Sequence, residues 1–228
     1  MKIVYEDKDQ IVIHKPAGIA TQTARLGEKD LVSEIKNHIR RESGKENPYV
    51  AVINRLDQPV EGIVLFAKNA KAAAALTAQM QTGVMQKYYY AAIYGHMEKQ
   101  KDELTDYLEK DNRSNLSKVV LQKTPSAKKA RLAYEVLYTD SKTDIVKIQL
   151  LTGRHHQIRV QFSHREHPLI GDMKYGSKES VEFGKKSGVR TPALCACELR
   201  WEHPVTKKEL VVQIEPEHPL LQQIKEAN

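Results

Sequence analysis

An α+β fold, built on a mixed, mostly antiparallel central sheet with helices packed against it, is what the sequence predicts. Three observations carry that expectation. Strand-like runs outnumber helical ones, the two kinds do not alternate regularly as a parallel nucleotide-binding sheet requires, and no internal repeat or low-complexity tract is visible. At 228 residues the chain can bury a sizeable core as one domain with a cleft, or as two small lobes; a single domain over residues 1–228 is the economical expectation.

The elements follow in order. KIVYED and QIVIHKP read as short strands around the polar turn EDKDQ, and Pro16-Ala17-Gly18 ends the second. Asp30 to Arg41 reads as a surface helix, because Leu31, Ile35 and Ile39 recur near helical period. YVAVINRLD reads as a strand leading to a turn at Asp57, and GIVLFAK as an almost uninterrupted apolar strand. NAKAAAALTAQMQTG is rich in helix formers, with Asn69 as cap and Gly83 as stop. KYYYAAIYG is strand-like. The polar stretch from about His96 to Lys129 reads as the least ordered part of the chain, an excursion that meets substrate. RLAYEVLYT and DIVKIQLLTG resume the strands, and HHQIRVQFSH reads as a short helix started by the TGR turn. TPALCACELRW and ELVVQIE supply two last strands before a short terminal helix.

Composition narrows the partners. Lys and Arg number 36 against 29 Asp and Glu, a formal charge of +7, which favours a polyanion over an acidic protein surface. Cys195 and Cys197, two apart in a strand, share a face and are poorly placed for a disulfide, so a reduced, cytoplasmic thiol pair is expected. No apolar window reaches the roughly 18 residues of a membrane span, and the opening MKIVYEDKDQ lacks the apolar core of an export signal. A monomer is expected.

Asp57 is the carboxylate with most chemical promise. Arg55 beside it favours the charged form, which suits a nucleophile or general base; the alternative is a turn-stabilising ion pair. Glu61 raises the question of a paired-carboxylate hydrolase, but Pro59 and Gly62 interrupt any helix that would place both acids on one face. In the run Tyr88-Tyr89-Tyr90 the middle residue faces opposite to its neighbours, and a tyrosine can serve as a stacking platform for a base. Arg154 and Arg159 flank a histidine pair in TGRHHQIR, where a guanidinium can hold a phosphate or lock an aspartate. The histidines lack metal-binding spacing, and phosphate-loop, dinucleotide and nucleophile-elbow signatures are absent. No cofactor and no metal are expected.

Taken together, five ordered segments resemble the RluA-like family of RNA pseudouridine synthases. KIVYEDKDQIVIHKPAGI is similar to its opening strands, NRLDQPVEGIVLFAKN to its HRLDxxTSGLLLxAK segment and KYYYAAIYG to its KxYxAxxxG strand. LLTGRHHQIRVQFSHREHPLIGDMKYG resembles its TGRxHQIRxHxxxxGxPxxGDxxYG block, and PALCACELRWEHP its LHAxxLxFxHP strand. The resemblance implies the synthase catalytic fold with a central RNA-binding cleft, and an isomerase that needs neither metal nor nucleotide. It implies that Asp57 attacks the target uridine at ribose C1′ or deprotonates C2′. By the same resemblance Tyr89 stacks on the base and assists proton removal at C5, Arg154 pairs with the aspartate, and Arg55 enters the RNA helix where the base leaves it.

Asn54, Arg159, Lys128 and Lys129 are further candidates for RNA contact or base flipping. Lys118, Lys123 and Arg131 join the two lysines as cations able to meet backbone phosphate, which positions RNA without reading its bases. The chain departs from the family pattern at Asn54, Val60, Glu61 and Cys195, where the family carries His, Thr, Ser and His; Glu61 is expected to add negative charge beside a polyanion. An S4-type RNA-binding module is expected to be absent, so that a structured stem-loop in ribosomal or transfer RNA is recognised by the catalytic cleft and the basic excursion. The rival readings are an RNA-binding protein without turnover, and a hydrolase using Asp57 with Glu61.

Overall fold

The computed structural model describes residues 1–23, 28–121 and 124–226, with side chains as far as residue 224. The chain divides into two compact units, residues 1–86 with 196–215, and residues 87–195 with 216–228. The architecture is α+β, with mostly antiparallel strands and flanking helices. Among the described residues no helix is long and apolar enough to cross a membrane.

In the first unit, β1 (Lys2–Glu6) pairs antiparallel with β2 (Gln10–Lys15), β2 with β4 (Glu61–Ala67), and the two-residue β3 (Ala51–Val52) with β4. β10 (Leu194–Glu202) pairs with β11 (Glu209–Gln213). Helix α1 (Leu31–Ser43) starts where the Asp30 side chain accepts from the Ser33 amide, and ends at Gly44 in the left-handed region. Helix α2 (Ala70–Thr82) is capped in the same way by Asn69 and stopped by Gly83. Leu31, Ile35 and Ile39 of α1 pack on Ile11, Ile13, Val64 and Phe66, whereas Ala72 and Leu76 of α2 pack on Val12, Ile63, Leu65 and Trp201. Both faces of β2 and β4 are therefore covered, which explains why those strands read as apolar runs without alternation.

The second unit holds β5 (Gln86–Tyr94), β6 (Lys101–Asp111), β7 (Leu116–Val120), β8 (Lys128–Thr139) and β9 (Thr143–Leu150). These pair antiparallel in the order β5-β9-β8-β6-β7. Helices α3 (Gln157–His164) and α4 (Lys178–Lys186) and a terminal 3-10 helix (Pro219–Glu226) complete it.

Three sequence expectations are corrected. The excursion from His96 to Lys129 is mostly the β6–β7 hairpin and the start of β8. Leu104 and Leu108 point inward at even spacing while the outward charges pair across strands, Lys101 with Glu135 at 2.7 Å and Arg131 with Glu103 at 2.7 Å. That dense charge masks a sparse strand pattern. The strand expected to run up to Asp57 stops at Val52, for a reason given below. Helix α4 was not anticipated; its signals are Ser177, which caps the Ser180 amide, Glu179 in the first turn, and Lys185 and Lys186 in the last.

Candidate active site

In the first unit the chain leaves β4 after Val52 because a side chain replaces the ladder. Asn54 is buried, donates from Nδ2 to the Ile63 carbonyl at 3.1 Å and accepts at Oδ1 from the Leu65 amide at 2.7 Å. The edge of β4 stays satisfied while residues 55–60 are released into a turn. Asn54 is thus a structural residue whose polar atoms are consumed by β4, and the expectation that it contacts RNA is corrected.

The turn itself is tied at several points. The Val60 amide donates to the Asp57 carbonyl at 3.0 Å. Thr21 Oγ1 donates to the Leu56 carbonyl at 3.2 Å. The Gly18 amide donates to the Gln58 carbonyl at 2.8 Å and Gln58 Nε2 returns a bond to the Gly18 carbonyl at 3.0 Å. Beneath them lies Lys15, fully buried, whose Nζ donates to the carbonyls of Pro16 (3.0 Å), Ile19 (2.8 Å) and Gln58 (3.0 Å). Burial pushes the Lys15 amine down to about 8, against the opposing pull of the Asp57 and Glu61 charges. On the far side, Gly62 has φ +132°, and a Cβ there would stand 2.4 Å from the Ala196 amide nitrogen, so only glycine fits. Asp57 is half-buried and Arg55 exposed on this braced turn. Glu61 is buried at 5% exposure. It therefore adds its charge to the environment of Lys15, and the expectation of a charge presented to RNA is corrected.

In the second unit, Tyr89 sits opposite Ile148 on β5 and is 6% exposed, while Tyr88 and Tyr90 lie half-buried on the other face. The TGR turn is organised by Gln157, a residue that the sequence reading passed over. Its Oε1 accepts from Thr152 Oγ1 (2.8 Å) and the Arg154 amide (3.1 Å), and its Nε2 donates to the Arg131 carbonyl (3.0 Å). Arg154 is exposed, and its Nε donates to the Lys129 carbonyl at 2.9 Å. Lys128 and Lys129 are exposed at the start of β8.

Arg159 is different. It is 3% exposed and grips Asp172 with Nε at 2.6 Å and Nη2 at 2.7 Å, and its guanidinium lies 5.1 Å from the Tyr175 ring centre. Asp172 in turn accepts from the Lys174 and Tyr175 amides. Arg159 locks an aspartate and is unavailable to a phosphate, which corrects its place among the RNA-contacting candidates. His155 and His156 stack on each other at 3.7 Å, with His155 against Ser117 and His156 against Tyr175. Among the basic residues of the former excursion, Arg131 is held by Glu103, Lys118 lies 3.6 Å from Glu109, and Lys123 falls outside the described residues.

The first unit therefore offers a half-buried carboxylate on a braced turn, and the second offers a largely buried tyrosine on a strand and an anchored, exposed arginine. Comparison with known proteins decides what these belong to. The profile of the family described as RNA pseudouridylate synthase matches residues 9–164. The chain belongs to that family. It is an RNA pseudouridine synthase, an isomerase. It is similar to the dual-specificity RNA pseudouridine synthase RluA of Vibrio parahaemolyticus, 33% identical over 211 residues, covering 89% of this chain and 78% of that protein. It also resembles the ribosomal large subunit pseudouridine synthase C of Vibrio cholerae, 27% identical over 213 residues, covering 92% of this chain and 64% of that one. Among solved structures, human RNA pseudouridylate synthase domain containing 4 superimposes with a TM-score of 0.79 at 21% identity, covering 97% of this chain and 91% of its own, which establishes the shared fold.

Proposed function

We propose that this synthase isomerises a uridine in a structured stem-loop of ribosomal or transfer RNA, with Asp57 as the reacting carboxylate. The observation that carries the reading is the Asp57 turn, braced by Lys15, Gly18, Thr21 and Gly62 within the segment that resembles the family's catalytic one. A pre-set carboxylate loses little freedom when the substrate arrives, and positioning of that kind supplies much of a reaction with no redox change and no energy input. Asp57 attacks ribose C1′ or removes the C2′ proton; the C–N glycosidic bond breaks, the base rotates, a C–C bond forms through C5, and the C5 proton departs. Tyr89 stacks on the base and assists that last proton transfer, Arg154 holds the carboxylate charged and aligned, and Arg55 fills the space left by the extruded base. Lys128 and Lys129 contact backbone phosphate.

We read the two compact units as one catalytic domain acting as a monomer in the cytoplasm without metal or nucleotide; buried thiols at Cys195 and Cys197 fit a reducing compartment. The names of the relatives support both ribosomal and broader RNA specificity. The test is a purified reaction with unmodified ribosomal and transfer RNA, mapped by carbodiimide-dependent reverse-transcription stops. Wild-type protein yields discrete new stops and D57N yields none; stops that persist with D57N overturn the assignment of the carboxylate.

A further inference from the structure

Lys87 has no role in the chemistry above, yet its setting is unusual for a lysine. It lies two residues before Tyr89 on β5, so both side chains leave the strand on the same face, about 7 Å apart along it. Its ammonium stands 3.4 Å from where a Cβ on Gly153 would be, and so rests against the backbone of the TGR turn, where a glycine leaves it room. Among the described residues nothing accepts a hydrogen bond from its Nζ or offers it a carboxylate. Burial disfavours its charged form and the neighbouring Arg154 guanidinium acts in the same direction.

Arg154 is fixed through Nε on the Lys129 carbonyl, which keeps its two terminal nitrogens for a ligand. Helix α3 begins three residues further on, placing the positive pole of its dipole at the same turn. Within the second unit two cations and a helix N-terminus thus gather at one turn, and none of that unit's described carboxylates is paired with either cation. Such a gathering is unfavourable until an anion enters it, and a phosphodiester, with two unesterified oxygens, can take an ammonium on one and a guanidinium on the other.

We propose that Lys87 and Arg154 form a two-cation seat for a single RNA backbone phosphate beside the uridine whose base Tyr89 stacks. The inference deepens the synthase reading and rests on it for the nature of the polymer. Lys87 is then a substrate-binding residue that fixes the register of the nucleotide, while Arg154 divides its donors between the phosphate and the aspartate.

The experiment uses the 228-residue protein carrying D57A, so that binding is measured without turnover. Affinity for a fluorescein-labelled RNA stem-loop is followed by anisotropy from 50 to 300 mM KCl, and melting temperature is followed with and without inorganic phosphate at matched ionic strength. The seat predicts that K87Q weakens RNA binding several-fold and lowers the slope of log affinity against log salt by about one, the signature of one lost phosphate contact. K87R restores the slope. It also predicts that phosphate raises the melting temperature of the parent and of K87R but not of K87Q or R154Q. Equal slopes for K87Q and the parent overturn the seat, as does a K87Q substitution that, made separately in protein retaining Asp57, lowers kcat and leaves KM unchanged, which would tie Lys87 to the aspartate. Should the protein bind no RNA while phosphate still protects it through Lys87, the RNA reading fails and the seat stands. If K87Q does not fold, R154Q carries both arms, and an unaltered slope and phosphate response there overturn the proposal.

Discussion

Replacing Lys15 by methionine removes a fully buried ammonium that joins three backbone carbonyls under the Asp57 turn. The Gln58 carbonyl keeps its bond from the Gly18 amide, so K15M strands the Pro16 and Ile19 carbonyls, at about 1–3 kcal/mol each. Against that stands relief from burying a charge. The amine titrates near 8 in the folded protein against 10.5 when exposed, which corresponds to a cost to the charged form of about 3 kcal/mol, net of the attraction of Asp57 and Glu61. The two nearly offset, and K15M is expected to change stability at pH 7 by no more than about 3 kcal/mol, in the destabilising direction.

The pH dependence is sharper. Between pH 8 and 10.5 the unfolded chain holds the proton that the folded chain has released, so stability rises with pH across that window and is lower on its acid side. Urea unfolding of both proteins at pH 8 and pH 10 should show wild type gaining about 2 kcal/mol relative to K15M. The difference cancels the other lysines and tyrosines. Parallel curves for the two proteins would refute the placement of a depressed, buried lysine under the turn. K15M is also expected to lower kcat more than it raises KM, because it loosens the carboxylate without touching the RNA.

Further predictions follow from the corrected residues. D172N leaves Arg159 buried without its counter-charge and should cost about 3–5 kcal/mol by denaturant unfolding, with RNA affinity of the surviving folded protein unchanged. N54A orphans the Ile63 carbonyl and the Leu65 amide and should destabilise by about 2–4 kcal/mol, with a lowered melting temperature; an unaltered melt would contradict its structural role. G62A meets both a positive φ and the Ala196 backbone, and is expected to cost about 3 kcal/mol or more together with most of the activity. E61S relieves the buried acid near Lys15 and should shift the K15-dependent stability term rather than RNA affinity, as read by unfolding against pH and by anisotropy.

Much of this was legible in the residues. Helix α1 announced itself by the period of Leu31, Ile35 and Ile39, and α2 by Asn69 before its run and Gly83 after it, because periodicity and capping are local chemistry that a short window contains. Tyr89 facing away from Tyr88 and Tyr90 follows from strand alternation alone. Strand β6 was hidden because it is held by the buried Leu104 and Leu108 and by ion pairs to β8 whose partners lie some thirty residues away. Arg159 and Asn54 were misread for a related reason: an arginine in a basic motif and an amide beside a catalytic segment look available until Asp172 and the edge of β4 claim them. Lys15, Gln58 and Gln157 were passed over because their importance lies in backbone carbonyls and amides, which no side-chain pattern displays.

The central claim is that this chain makes pseudouridine in RNA through Asp57. It is tested most directly by mapping pseudouridines in total RNA from wild-type cells, from cells lacking the gene, and from deletion cells carrying either the wild-type or the D57A copy. The account predicts at least one uridine modified in wild type, lost on deletion, restored by the wild-type copy and not by D57A. Identical maps in all four strains, or restoration by D57A, would contradict it.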